Sequence, residues 1–235
     1  MPRRPKNLRP DLNGILVIDK HVGPSSFAIC RDVRRATGGA KVGHAGTLDP
    51  FASGVLVLAL GKATKAVPTL MATDKRYTAT VDLGAFSTTD DPEGEITQVD
   101  VIAPPPLDRI EAALGEFTGE IQQQPPIYSA VHVDGERAYK LARRGGLEER
   151  PPARTVVVHS IEVIEYAFPR LVLDIRCGKG VYIRSLARDL GVSLGVGGML
   201  TALRRTQVGT YTIDDAISMD SLPDPIENAL GPVPT

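Results

Sequence analysis

Apolar residues fall into three rhythms along this chain, and each rhythm predicts an element. Short unbroken runs are the first: Gly14 to Asp19, and residues 54 to 60. Runs this short, bounded by turn residues, read as strands buried on both faces. Alternation is the second, over Lys75 to Leu83, which reads as a strand with one buried face. Two longer stretches, about 154–167 and 170–177, are predicted to pair as a hairpin. Helical spacing is the third. Ser25 or Ser26 can cap a helix running to about Ala36, with Phe27, Cys30 and Val33 inward. Leu107 to Leu114 has the same period, and Gly178-Lys179-Gly180 leads into a helix to Leu190 with Ile183, Leu186 and Leu190 on one face. Weaker signals predict a short helix near 62–71, and an acidic hairpin that returns along Ile96 to Ile102. They also predict a strand over Ile127 to Val131, a basic helix from Glu136 to Arg144 ending at Gly145-Gly146, and two short strands within 199–213. Thr37 to Pro50 reads as a loop, 1–12 as a disordered basic arm, and the acidic tail from Ser218 as loosely packed. Strands joined mostly by hairpins, with helices interspersed, predict an α+β fold with a mixed, largely antiparallel sheet.

Composition narrows this little. A chain of 235 residues with 42% hydrophobic and 23% charged residues is an ordinary globular chain, one domain or one domain with an appendage. Charge changes the picture more. The formal net charge is only -1, yet the signs are segregated. Residues 86–120 are acidic, with Arg109 their one basic side chain. Arg3, Arg4, Lys6 and Arg9 are read as having no acidic neighbour, and 136–154 carries Arg137, Lys140, Arg143, Arg144, Arg150 and Arg154. Such segregation permits a positive face for a polyanion. Taken alone, it suits a solvated surface better. Cys30 and Cys177 lack disulfide or metal-ligand spacing, and the four histidines are scattered. No metal site is expected, and a reducing cytoplasm is the natural compartment. No apolar run has the length of a membrane span, and the N-terminus lacks the apolar core of a signal peptide.

The chemistry concentrates in Gly43 to Gly54, which reads Gly-His-Ala-Gly-Thr-Leu-Asp-Pro-Phe-Ala-Ser-Gly. Asp49 sits between a glycine-rich turn and Pro50, just before the buried run. A loop entering a buried strand can expose a reactive side chain on a rigid backing. A turn whose aspartate caps the next element explains the segment equally well. Other segments shift that balance, because six lie in order along the chain. They are Asp19-Lys20-His21-Val22-Gly23-Pro24-Ser25-Ser26, then Gly43 to Pro50, then Lys75-Arg76-Tyr77. Pro126-Ile127-Tyr128-Ser129-Ala130, Cys177 to Leu186 and Leu203-Arg204-Arg205-Thr206 complete the series. In this order the chain resembles the TruB-type tRNA pseudouridine synthases over some four fifths of its length.

The resemblance implies a pseudouridine synthase fold over 13–217, with a thumb insertion at about 125–154 that closes over the T-arm of tRNA. It implies isomerisation of the T-loop uridine, position 55 in standard tRNA numbering, with no cofactor and no metal, by a monomer. Breaking one glycosidic bond and forming another needs a carboxylate that attacks or stabilises an electron-deficient centre. By resemblance that group is Asp49. A stacked base must be turned out to be reached, and His44 is implied to enter the space it leaves. Tyr77 is implied to stack on the extruded base, Arg184 to pair with Asp49, and Leu203 to wall the uracil pocket. Lys20, Tyr182, Arg137, Lys140, Arg143 and Arg144 are implied to bind substrate. Two departures stand out. His21 replaces the usual proline, and the residues after Asp215 are too few for the PUA-type domain that many bacterial members carry. Three other readings compete with this one. An aspartyl phosphatase would need Asp-x-Asp, but Phe51 holds the second position. A non-catalytic RNA-binding module would not need Asp49 or Arg184. A guide-RNA-dependent relative would usually carry a PUA domain and basic extensions.

Overall fold

A computed structural model describes residues 9, 11–129, 131–133, 135–144 and 149–233. Along them run β1 (Gly14–Lys20), α1 (Ser26–Ala36), β2 (Val42–His44), β3 (Ser53–Leu60), α2 (Val67–Ala72), β4 (Lys75–Asp82), β5 (Ala85–Ser87) and β6 (Ile96–Gln98). There follow α3 (Leu107–Glu116), β7 (Gly119–Gln123), β8 (His132–Val133), β9 (Glu136–Arg137), α4 (Ala138–Arg143), β10 (Arg154–Ala167) and β11 (Arg170–Cys177). The last are α5 (Ile183–Leu194), β12 (Met199–Val208), β13 (Tyr211–Thr212) and β14 (Ile217–Ser218). The chain divides into two compact units, one up to Arg76 and from Arg204 onward, the other Tyr77–Leu203. β4 and β12 each have residues in both.

In the first unit β1 and β3 pair antiparallel along Gly14 to Lys20, and β14 joins β1 in parallel. β3 is apolar without alternation because both of its faces are covered. Val55, Val57 and Ala59 pack with Ile15, Val17, Ala63, Leu70 and Val208, while Leu56, Leu58 and Leu60 are also fully buried. In the second unit the strands stand in the order β12, β4, β11, β10, β7. β10 and β11 are the expected hairpin, and β10 also pairs antiparallel with β7. α3 packs on α5, and Arg109 donates to the Leu194 carbonyl at 3.1 Å, satisfying a free acceptor at the end of α5.

Several expectations are corrected. Phe27 points outward, 73% exposed, and Ile29 fills the inward position beside Cys30 and Val33. Ile127 to Ser129 bend instead of forming a strand, and the strand of this region is β7, ahead of the two prolines. The Thr37–Pro50 loop contains β2, and Glu136–Arg137 forms a strand before α4 begins. Gly145-Gly146 and Arg3, Arg4 and Lys6 lie outside the described residues. Arg9 does have acidic neighbours, since it binds Asp11 and Glu227. The tail is pinned: Ile15 and Gly231 exchange both backbone hydrogen bonds at 3.0 and 2.8 Å, and Ile226 is buried. No helix among the described residues is long and apolar enough to cross a membrane.

Candidate active site

The loop bearing Asp49 is built by a shared strand edge. On the side away from β1, β2 covers β3 at Leu58–Leu60, and β12 covers it at Ser53 and Gly54. Two β3 carbonyls between them need donors. Val57 takes the N–H of Ala45 at 2.9 Å. Val55 takes Nε of Arg205 at 2.7 Å, so a side chain stands in where no strand reaches. The same guanidinium, 1% exposed, donates to the carbonyls of Gly46 at 3.2 Å and Thr47 at 3.5 Å. Arg205 therefore ties the start of the loop to its supporting strand.

The following residues are tied in turn. Buried Ser26 accepts the N–H of Leu48 at 2.8 Å and donates its hydroxyl to the Leu48 carbonyl at 3.0 Å. Pro50 accepts the N–H of Gly23 at 2.8 Å and Nζ of Lys20 at 3.3 Å. Lys20 is fully buried, with a second bond to the His21 carbonyl at 3.0 Å, which compensates its ammonium for lost water. Asp49 accepts the N–H of Ala52 through its own carbonyl at 3.1 Å. Gly46 through Pro50 are thus held through backbone groups, and none of these bonds uses the Asp49 carboxylate. His44 closes β2 one residue before the loop. Gly54, where the loop ends, has φ +100°, and a Cβ there would lie 2.1 Å from the Arg205 carbonyl. Gly54→Ala should destabilise the protein by about 3 kcal/mol or more, through strain and this clash together. Urea denaturation of the purified variant measures it, and a loss under about 1 kcal/mol would mean that the loop end yields easily.

The second unit carries the remaining predicted side chains. Arg184, 5% exposed in the first turn of α5, donates Nη1 to Asp91 at 3.0 Å and to the Thr89 carbonyl at 3.1 Å. Its Nη2 reaches the Tyr128 carbonyl at 2.9 Å. Asp91, itself buried, also accepts the Thr89 hydroxyl at 2.5 Å and the N–H of Glu93 at 3.0 Å. Tyr182, at the N-cap of α5, is clamped by Gln123: its N–H donates to Oε1 at 2.8 Å and its carbonyl accepts Nε2 at 3.0 Å. The Arg154 guanidinium lies 5.0 Å over the Tyr182 ring. Tyr77 on β4 and Leu203 on β12 are both buried, on strands that are neighbours in the sheet. Arg137 lies on β9 and Lys140 and Arg143 on α4, their side chains outside the description, while exposed Arg144 pairs with Glu136.

Charge in this unit is less free than its segregation along the chain suggests. Asp90 and Asp91 of the acidic stretch are buried against arginines, and Arg150 binds Asp90. Burial, partly offset by Arg188, holds the Asp189 carboxyl above its ordinary value. Burial also pushes the Cys30 thiol up to about 11, so it offers no thiolate nucleophile at neutral pH. Among the described residues no cluster of three or more His, Cys, Asp or Glu could hold a metal.

Asp49, His44 and Lys20 gather in one unit, and Tyr77, Tyr182, Arg184 and Leu203 belong to the other. Sequence reasoning missed Ser26 as a loop clamp, Arg205 as the bridge to β3, and Asp91 and Gln123 as partners of the α5 start. Ser26 and Arg205 did lie inside two of the matched segments, where their position was the available signal.

Comparison with known proteins agrees with the motifs. Residues 34–183 match the family model described as TruB family pseudouridylate synthase (N terminal domain), and 184–230 match tRNA pseudouridylate synthase B C-terminal domain. The chain is 46% identical over 222 residues to tRNA pseudouridine synthase B of Arthrobacter sp. (strain FB24), covering 92% of this chain and 72% of the relative. It is 44% identical over 249 residues to that of Caulobacter sp. (strain K31), covering 100% and 78%. A crystal structure of a Cbf5-Nop10-Gar1 complex contains a chain that superposes with a TM-score of 0.74 at 30% identity. The match covers 98% of this chain and 63% of that one. The structure of an H/ACA RNP bound to a substrate RNA containing 2'-deoxyuridine gives a TM-score of 0.71 at 27% identity, covering 98% and 62%. With one family model spanning more than half its length and such relatives along nine tenths of it, the chain belongs to the TruB family of pseudouridylate synthases.

Proposed function

We propose that this chain converts uridine 55 in the T-loop of tRNA to pseudouridine, acting as a cytoplasmic monomer. The observation that carries this reading is the Asp49 loop, fastened through the backbone on both sides of one carboxylate. The reaction breaks the N1–C1′ bond, turns the uracil and forms a C5–C1′ bond. A proton leaves C5 and N1 gains one, so no net oxidation or hydrolysis occurs. Asp49 supplies the negative charge that attacks, or stabilises, the electron-deficient intermediate. A loop held at each peptide keeps that charge aimed without reorganisation during the reaction. In this reading Arg184 keeps Asp49 ionised and oriented, and Tyr77 stacks on the extruded base. His44 fills the vacated place, and Leu203 walls the pocket. Basic residues of the insertion, Arg137, Lys140, Arg143 and Arg144, meet phosphates, and Lys20 and Tyr182 support the substrate through the elements they hold.

The 46% identity to a tRNA pseudouridine synthase B supports a tRNA substrate. The direct test is to treat unmodified tRNA transcripts with the purified protein and map pseudouridine base by base. Modification at position 55 alone is expected. No product, or product at another uridine, would overturn the proposal. Tyr77 gives a finer check. Tyr77→Phe keeps a stacking ring and should retain turnover within about threefold, whereas Tyr77→Leu should lose about tenfold or more, the value of one base–aromatic stack. Equal losses in both variants would assign the role to the hydroxyl.

A further inference from the structure

Asp90 and Asp91 follow one another in the chain and meet two arginines one turn apart on α5. Asp91 faces Arg184, and Asp90 faces Arg188 at 3.0 Å. Asp90 is 2% exposed and holds φ +63°, a conformation that a non-glycine residue keeps only with strong local support. Its backbone N–H donates to the Ser87 carbonyl at 3.2 Å, its carbonyl takes the N–H of Leu200 at 3.1 Å, and arginines hold its carboxylate. Arg150 grips the Asp90 carboxylate with both terminal nitrogens, at 2.7 and 2.9 Å, while Arg188 takes one of its oxygens.

Arg150 stands at the return end of the 125–154 insertion. The outgoing end is fastened to the same helix, where the Gln124 carbonyl accepts the Ser185 hydroxyl at 2.8 Å and Arg188 Nη2 at 3.1 Å. Within the insertion, the Tyr128 carbonyl takes Arg184. Both ends of the insertion therefore finish beside the groups that hold Arg184: on Asp90, next to Asp91, and on Ser185 and Arg188 of the helix that carries it. An ion pair serving stability alone could be replaced by apolar packing with little loss. One that sets the direction of a neighbouring guanidinium could not.

We propose that Asp90, gripped by Arg150 and Arg188, is a positioning residue. It locks the return end of the insertion to the Thr89–Asp91 turn and so fixes the orientation in which Asp91 holds Arg184. The proposal deepens the function given above and rests on it. The test compares wild type with Arg150→Ala, Arg150→Lys and Asp90→Asn in the full chain. It measures kcat and KM on T-arm RNA, the thermal midpoint, and the Nε–H resonance of Arg184 in ¹⁵N-labelled protein without RNA. Arg150→Ala should lower kcat about tenfold with KM within about threefold, and should shift the Arg184 resonance. Arg150→Lys should recover part of both effects, and Asp90→Asn should act in the same direction. Should Asp90→Asn not fold, Arg150→Ala carries the test, since its side chain is 24% exposed and Asp90 keeps Arg188. A folded Arg150→Ala protein with wild-type kcat, or with an unmoved Arg184 resonance, overturns the proposal. A wild-type protein that makes no pseudouridine refutes the function instead, and the Arg184 resonance still decides this point.

Discussion

Asp49→Asn should give a folded protein that binds tRNA and forms no pseudouridine. The substitution keeps shape and removes charge. The backbone of the loop is held by other groups, for Arg205 holds Gly46 and Thr47, Ser26 holds Leu48, and Gly23 and Lys20 hold Pro50. Turnover should fall by at least about four orders of magnitude, roughly 5.4 kcal/mol of barrier. Affinity should stay within about tenfold, roughly 1.4 kcal/mol, because most of it comes from phosphate contacts elsewhere. Single-turnover pseudouridine formation and filter binding on one preparation separate the two quantities. An asparagine variant working at the wild-type rate would remove Asp49 from the chemistry.

Arg184→Lys should lower turnover about a hundredfold, roughly 2.7 kcal/mol, with a small change in affinity. The charge survives but the fork does not. Arg184 reaches the Asp91 carboxylate, the Thr89 carbonyl and the Tyr128 carbonyl from two nitrogens, and a single ammonium cannot hold the same three directions. Because Arg184 and Asp91 are both buried, the variant should also melt lower. Removing one partner of such a pair outright costs about 3–5 kcal/mol, and lysine should cost less. Turnover measured well below the melting point keeps the effects apart. Unchanged turnover there would show that the planar fork is dispensable and would leave Arg184 as a stabilising group.

The strands that bury both faces were legible because nothing but unbroken apolar sequence can fill such a position. β1, β3 and the β10–β11 hairpin lie close to where periodicity predicts them. Helix α1 was legible from its cap, and Ser25 does accept the N–H of Ala28. Its inward face was misjudged at Phe27, because the exposure of one position in the first turn depends on what the neighbouring elements cover. β7 was missed because Gly119-Glu120-Ile121-Gln122-Gln123 is polar, and its strand conformation comes from pairing with β10. Ile127 to Ser129 made the opposite error, apolar enough to suggest a strand but folded as a bend.

By itself the sequence determined the α+β class, the register of six motifs, the family they resemble, and Asp49 as the residue to examine. Those are local properties, written in side-chain type and spacing. The tertiary structure alone decided what holds that residue and what faces the others. Arg205 reaches Val55 across 150 positions, Arg184 reaches Asp91 across 93, and Arg150 reaches Asp90 across 60. Pairs that far apart in the chain leave no periodic trace in one sequence, because their partners are brought within hydrogen-bond range only when the sheet assembles. Burial then makes each pair obligatory, since an arginine or aspartate withdrawn from water must find a counter-charge or hydrogen-bond partners inside the fold.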